Sequence, residues 1–226
     1  MTGDIVNNGA LVFGATWTNM TVSGAISGTG AVIMNGCATL FLSGNNTYTG
    51  GTTVNSGTLQ IGNGGTVDSF PGDIVNYGRV AFDQSNALAY SGAITGGGSV
   101  AMRGSGTLRF TASGGYTLGS LEVSNGTLDL NGQNWSVSTL GGNGGTILNN
   151  GTGLPALTVA AGNYGASLAD GTGALPGNAA LVGMSVSAHT ALVSAKLEGS
   201  GIASMPEPAN LVLLGLGTMA LLRRRR

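Results

Sequence analysis

A five-residue pattern recurs between residues 9 and 130, in which glycine is followed by apolar residues at the third and fifth positions. Apolar side chains alternate with polar or small ones, which is the period of a half-buried β-strand. Several copies lie 19 to 21 residues apart, and two pairs are separated by eight residues. The copies are residues 9–13, 30–34, 57–61, 78–82, 98–102, 106–110 and 126–130, with 38–42 as a variant that begins with Ala38. A recurring unit of about 20 residues is typical of stacked repeat architectures.

The spacing predicts an all-β fold, a right-handed parallel β-helix (β-solenoid) over residues 1–151. A β-sandwich would not need recurrence at 20 residues, so the solenoid is favoured. The composition agrees, because 43 glycines supply corners and only 8% of residues are charged, which limits repulsion between stacked charges. We expect Gln60 to face outward and to tolerate substitution by Asp. The residues expected to face inward are Leu11, Val32, Leu59, Val80, Val100, Leu108 and Leu128.

A longer repeat is superimposed on this pattern. Residues 3–9 recur as 72–78, residues 23–26 recur as 91–94, and the Gly-Thr-Leu of 57–59 returns at 126–128, at offsets of 69, 68 and 69. Asp4 and Asp73 occupy equivalent positions in the two units. We expect them to lie about three rungs, or roughly 14 Å, apart.

The last residues of the chain differ from everything before them. Met205-Pro206-Glu207-Pro208 precede an apolar segment, residues 209–222, and four arginines close the chain. A helix of this length spans about 21 Å, less than the roughly 30 Å of a bilayer core, which by itself favours a buried helix. The segment is nevertheless apolar on all faces and is followed by charges that resist crossing a membrane. We therefore favour a transmembrane helix over a core helix.

This tail resembles the PEP-CTERM sorting signal of exported bacterial proteins. The resemblance implies that Pro206, Glu207 and Pro208 are recognised by an exosortase-type processing enzyme. It further implies that residues 209–222 anchor the chain in the inner membrane, with Arg223, Arg224, Arg225 and Arg226 as the stop. The processed protein would then reach the cell envelope, the cell surface or the extracellular matrix. Met205 stands where the family often has Val, a mild departure.

A second resemblance concerns the repeats. Residues 40–62 are similar to the autotransporter-associated β-strand repeat, also called the passenger-associated transport repeat, and weaker similarity extends over roughly residues 1–175. This resemblance implies an exported parallel β-helix that serves as a spacer or adhesin stalk. Between the repeats and the sorting tail, residues 152–204 are expected to form a degenerate solenoid end, or cap, and a linker. Met1 enters the repeat without a signal peptide, so we expect a start further upstream or a longer repeat protein.

The residues argue against several functions. Before the tail, four basic residues face eight acidic ones, so no basic face for nucleic acid can form. Asp129 and Glu122 have no evident cation partner, and Cys37 with His189 cannot build a structural zinc site. Gly141-Gly142-Asn143-Gly144-Gly145 resembles a calcium nonapeptide, but Thr146 stands where the ligand Asp is needed. We therefore predict no catalytic residues, no metal site, no cofactor and no enzymatic activity.

Two classes of function remain. The first is an exported, adhesin-like structural protein of the cell surface. The alternative is a β-helix that binds or processes an extracellular polysaccharide, for which Trp17 and Trp135 are the candidate aromatic contacts. Loss of specific glycan binding on Trp17→Ala or Trp135→Ala would favour the second class.

Overall fold

A computed structural model describes residues 1–14, 17–151, 157–162, 167–170 and 196–197, with side chains through residue 160. These residues form 21 β-strands and no helix. The first ten strands are β1 (Ile5–Val6), β2 (Ala10–Phe13), β3 (Met20–Val22), β4 (Ile26–Ser27), β5 (Ala31–Met34), β6 (Thr39–Leu42), β7 (Thr52–Val54), β8 (Thr58–Ile61), β9 (Ile74–Asn76) and β10 (Arg79–Phe82). The others are β11 (Ala87–Tyr90), β12 (Ile94–Thr95), β13 (Ser99–Met102), β14 (Thr107–Phe110), β15 (Tyr116–Val123), β16 (Thr127–Asp129), β17 (Trp135–Gly141), β18 (Thr146–Asn149), β19 (Leu157–Gly162), β20 (Ser167–Asp170) and β21 (Lys196–Leu197).

The strands form a parallel β-solenoid of about 7 turns. An eight-stranded sheet has the order β19-β17-β15-β13-β10-β8-β6-β3, a six-stranded sheet the order β11-β14-β16-β18-β20-β21, and a five-stranded sheet the order β12-β9-β7-β5-β2. A two-stranded sheet pairs β1 with β4 in parallel. Val80 has Leu59 on one side and Val100 on the other as register partners. The 20-residue rung expected from the sequence is therefore confirmed.

The inward-facing side chains form one hydrophobic core along the stack. Six of the seven residues expected to face inward are buried, all at 1% exposure or less: Val32, Leu59, Val80, Val100, Leu108 and Leu128. Leu11 is partly buried and packs against the same core. Among the described strands, β2 pairs only with β5 and ends the five-stranded sheet, so no described rung covers the other side of Leu11.

Aromatic rings form a column inside the stack. Ring centroids are 6.1 Å apart for Tyr48 and Phe70, 6.3 Å for Phe70 and Tyr90, and 5.6 Å for Tyr90 and Phe110. Phe110 then contacts Trp135 at 4.9 Å. Most of these contacts are edge-to-face or tilted, the arrangement that ring quadrupoles favour. The spacing of about one rung between these aromatic residues is visible in the sequence and could have located the column.

The two long repeat units make the same local bonds. The backbone N–H of Ala25 donates to Asp4 Oδ1 at 2.8 Å, and that of Ala93 donates to Asp73 Oδ1 at 2.8 Å. Asn7 and Asn76 likewise each donate a side-chain N–H to a backbone carbonyl, at 2.9 Å in both cases. The repeat therefore corresponds to a recurring corner, which each Asp and Asn stabilises through the backbone of a neighbouring rung.

Asp4 and Asp73, which we expect to lie about three rungs apart, do not lie in one column of the stack. The residue that lies three rungs from Leu11 in the same column is Ile74, so three rungs contain fewer residues than the 69-residue repeat. The repeat therefore continues past the end of the third rung and onto the next face of the solenoid. Accordingly, the copy at 9–13 lies in the five-stranded sheet as β2, and the copy at 78–82 lies in the eight-stranded sheet as β10. Equivalent residues of the two units therefore lie on different faces of the solenoid.

Gln60 also departs from expectation. It is on the outer side of β8 but is only 6% exposed. Its Nε2 donates to Asp83 Oδ2 at 2.9 Å and to the Gly62 carbonyl at 3.3 Å. Its register neighbours, Phe41 and Ala81, flank it on both sides. A side chain that points outward from the middle of a sheet can be buried by side chains of the rungs above and below it. The alternation of apolar and polar residues along one strand does not predict this burial.

The predicted sorting tail, residues 205–226, and most of the predicted cap, residues 152–204, lie outside the described residues. Within the described ranges, no helix is long and apolar enough to cross a membrane.

Candidate functional surfaces

The residues predicted for sorting cannot be located in this structure. Pro206, Glu207, Pro208, the apolar segment 209–222 and Arg223 to Arg226 all lie outside the described residues, as does His189. In the part of the chain that is described, no group of three or more His, Cys, Asp and Glu side chains could hold a metal ion. The candidate functional features are therefore the outer surfaces of the stack.

A charged network occupies the outer face of the eight-stranded sheet. The guanidinium of Arg79 in β10 pairs with the carboxylate of Glu122 in β15, although β13 lies between these two strands. The hydroxyl of Ser124 donates to Glu122 Oε1 at 2.7 Å. The Ser124 hydrogen bond and the Arg79 charge lower the pKa of Glu122, against the opposing effect of partial burial. The expectation that Glu122 has no cation partner is wrong.

Asp129 is held in a second network, at the end of β16. Its side chain is 2% exposed, and its Oδ1 accepts the backbone N–H groups of Asn131 and Asn150, both at 2.9 Å. Its Oδ2 accepts Asn150 Nδ2 at 3.1 Å and lies 3.5 Å from Arg109 Nε. Asp129 therefore also has a cation partner, contrary to expectation. Asp129 therefore accepts hydrogen bonds from its own rung, through Asn131, and from the next rung, through Asn150, and it stabilises this corner of the stack.

The two tryptophans are in different environments. Trp17 precedes β3, at one end of the eight-stranded sheet, and is 89% exposed. Trp135 begins β17, near the other end of that sheet, and is 1% exposed. Its ring stacks on that of Tyr116, with centroids 4.5 Å apart and planes inclined by 28°. The structure does not bring the two tryptophans together, and the face of the Trp135 ring is already covered.

A shallow depression of about 200 Å³ opens beside this stacked pair. It is lined by Gly114, Gly115, Tyr116, Thr117, Asn134, Trp135, Ser136 and Thr158, none of which is charged. Thr117, Ser136 and Thr158 are register partners on β15, β17 and β19, and all three are exposed. This row of hydroxyl residues was not predicted from the sequence. The sequence feature that could have revealed this row is the recurrence of a hydroxyl residue at intervals of about one rung.

The tyrosine in the floor of the depression remains neutral in ordinary conditions. Burial raises the pKa of Tyr116 to about 12, although a backbone hydrogen bond acts in the opposite direction. The floor is thus apolar and uncharged, and hydroxyl groups lie along its rim. Such a surface can make neutral hydrogen bonds through its hydroxyl groups.

Comparisons with known proteins support the assignment of the repeats. Residues 27–61, which extend from the end of β4 to the end of β8, match the family model "Passenger-associated-transport-repeat". These residues are therefore similar to a passenger-associated transport repeat. This confirms the resemblance of residues 40–62 and extends the match toward the N-terminus.

A stretch of 83 residues is 43% identical to the adhesin BmaC autotransporter of Brucella suis biovar 1 (strain 1330). The aligned stretch covers 37% of this chain and 2% of that protein. The chain therefore spans a small fraction of this relative. No solved structure matches the chain.

Proposed function

We propose that the chain is an exported, adhesin-like structural protein of the cell surface, whose β-solenoid acts as a spacer or contact surface. The observation that carries this proposal is the passenger-associated transport repeat, which coincides with consecutive rungs of the parallel stack. The similarity to an autotransporter adhesin supports the same location and role. We also propose that the stack winds to the right, because parallel crossover connections have this hand in about 98% of cases.

The proposed role is not enzymatic. The carboxylates of Glu122 and Asp129 are both bonded within structural networks. Neither lies in the depression at Trp135. A stack held together by backbone ladders and a continuous apolar core is suited to carry a surface away from the membrane.

The route to the surface is proposed from the C-terminal sequence. Pro206, Glu207 and Pro208 act as the element that an exosortase-type enzyme recognises. Residues 209–222 form a helix in the inner membrane, and Arg223 to Arg226 stop its transfer. The prolines keep the motif extended and accessible, since proline is unfavourable in a helix interior.

Processing can be tested by expressing the chain behind a working signal peptide, in a host with an exosortase and in one without. Mass spectrometry of the C-terminus should show loss of Arg226 only in the first host. Glu207→Gln should reduce processing without preventing membrane insertion, whereas Glu198→Gln, outside the motif, serves as the matched control. An intact Arg226 in both hosts would refute the sorting proposal, and surface labelling would still report whether the solenoid is exposed.

A further inference from the structure

The depression at Trp135 exposes hydrogen-bonding groups that a role as a spacer does not require. It lies where the rim of the eight-stranded sheet meets the Gly114-Gly115 turn. Both glycines have positive φ, 114° and 78°. A Cβ on Gly115 would lie 2.6 Å from the Asn134 carbonyl oxygen, so this position excludes a side chain. Neither glycine has a side chain that could cover the hydroxyl row, whose three residues are exposed.

The described lining of the depression favours a neutral ligand. None of the eight lining residues has a charge, so recognition by ion pairing is not available. Thr117, Ser136 and Thr158 present hydroxyl groups, each of which can both donate and accept hydrogen bonds. Neighbouring rungs place these groups at intervals of about 4.8 Å. A regular row of this kind matches a ligand with many hydroxyl groups of its own.

Trp135 adds an independent observation. Its indole Nε1–H is buried and has no hydrogen-bond acceptor among the described residues. An indole N–H is a donor only, and a buried donor normally has a partner. Trp135 also lines the depression, but its N–H is shielded, so the exposed Thr117–Ser136–Thr158 hydroxyl row supplies the hydrogen bonds to a ligand.

We propose that this depression is a binding subsite for a neutral polysaccharide, which lies along the Thr117–Ser136–Thr158 row. The volume of about 200 Å³ is below the roughly 300–1,000 Å³ of pockets that enclose drug-sized ligands. The depression therefore accommodates a short part of a polysaccharide, and the rest of the polysaccharide runs over the sheet. It is too small to enclose a whole soluble ligand. This inference rests on the proposed surface location, where such a chain would be accessible.

The test uses the full chain and affinity electrophoresis or pull-down with cellulose, xylan, dextran and galactomannan, which are neutral, and with alginate, which is anionic. The test variant is the double substitution Thr117→Ala and Ser136→Ala. The matched control is Thr139→Ala, because Thr139 is also an exposed hydroxyl residue of β17 but is not part of the depression. All three altered side chains are exposed, so each variant should fold as the parent does, which thermal unfolding verifies.

We expect at least one neutral polysaccharide to retain the parent chain, without competition from alginate. The double variant should bind roughly tenfold more weakly, as loss of two neutral hydrogen bonds predicts, and Thr139→Ala should bind as the parent does. Three results would each overturn the proposal: no retention by any neutral polysaccharide, preference for alginate, or equal retention of the double variant. Cell-surface labelling reports the proposed location separately, so failure of binding and failure of export are distinguishable.

Discussion

Arg79 and Glu122 form an ion pair across three strands of one sheet. Their strands, β10 and β15, are separated by β13, whose outward-facing Ala101 is buried at this point. The short alanine side chain leaves room for Arg79 to cross the rung. The pair therefore connects rungs that are not hydrogen-bonded to each other, and it does so on the outer surface of the stack.

The Arg79–Glu122 pair should make stability depend on acidic pH. The pKa of Glu122 is lowered by Ser124 and Arg79 from its ordinary value of 4.5, so the stabilisation is present above that value and is lost as pH falls through the folded-state pKa. Because both side chains are partly exposed, the effect should not exceed about 1 kcal/mol. Urea unfolding of the parent and of Glu122→Gln should differ at pH 7, and the difference should shrink as pH falls below 4.5. A difference that is equal at both pH values would contradict this explanation.

Gly98 should be far less tolerant of substitution than its neighbour Gly97. A Cβ at Gly98 would lie 2.5 Å from the Gly78 carbonyl oxygen and 2.6 Å from Asn76 Oδ1, whereas a Cβ at Gly97 has nothing within 4 Å. Gly98→Ala should therefore cost about 1–3 kcal/mol of unfolding free energy, the usual range for overpacking. Gly97→Ala, the matched control, should be neutral or slightly stabilising. Equal effects of the two substitutions in thermal unfolding would show that the Asn76 corner is placed wrongly.

Gln60→Glu should destabilise the stack at neutral pH. The change preserves the shape but replaces the Nε2 donor with a carboxylate beside Asp83, to which Gln60 now donates at 2.9 Å. The loss should be about 1–3 kcal/mol, as for a buried hydrogen bond replaced by an unsatisfied group. It should shrink at acidic pH, when the introduced carboxyl group binds a proton. Chemical unfolding across pH checks both the sign and the trend, and a pH-independent loss would argue against contact with Asp83.

Gln84 should be replaceable by leucine with a gain in stability. Gln84 is fully buried, and neither its Oε1 nor its Nε2 has a hydrogen-bond partner among the described residues. Removal of this desolvated amide should raise the unfolding free energy by about 1–3 kcal/mol.

Asn46→Leu provides the contrast, since Asn46 is equally buried but accepts the Ile26 N–H at 3.0 Å and donates to the Gly44 carbonyl at 2.8 Å. That substitution should destabilise. The same sign for Gln84→Leu and Asn46→Leu in denaturant unfolding would contradict the assignment of the two environments.

Much of the fold could be predicted because a stacked rung repeats its own pattern. The Gly-x-apolar-x-apolar copies identified Leu59, Val80 and Val100 as inward-facing positions of successive rungs, and the structure confirms them. The passenger-associated transport repeat was likewise recognisable from its own residues.

Contacts between side chains of different rungs, and the positions of the repeats on the faces of the solenoid, could not be predicted from the repeated pattern. The pairing of Arg79 with Glu122 depends on a register that skips one strand, and the burial of Gln60 depends on side chains from the rungs above and below. The 69-residue repeat was visible, but its rotation onto the next face follows from the length of the turns. The depression at Trp135 was missed because Thr117, Ser136 and Thr158 are inconspicuous among many other hydroxyl residues.

The central structural claim is that the chain forms one parallel stack with a rung of about 20 residues. Spin labels on the outer face of the five-stranded sheet test it most directly, in a Cys37→Ser background. The successive register partners Val12, Ile33, Thr53, Val75 and Thr95 lie along this face. Double electron–electron resonance between labels at Val12 and at Thr53, Val75 or Thr95 should give separations that increase by about 4.8 Å for each added rung. Separations that do not increase in this order would contradict the parallel stack.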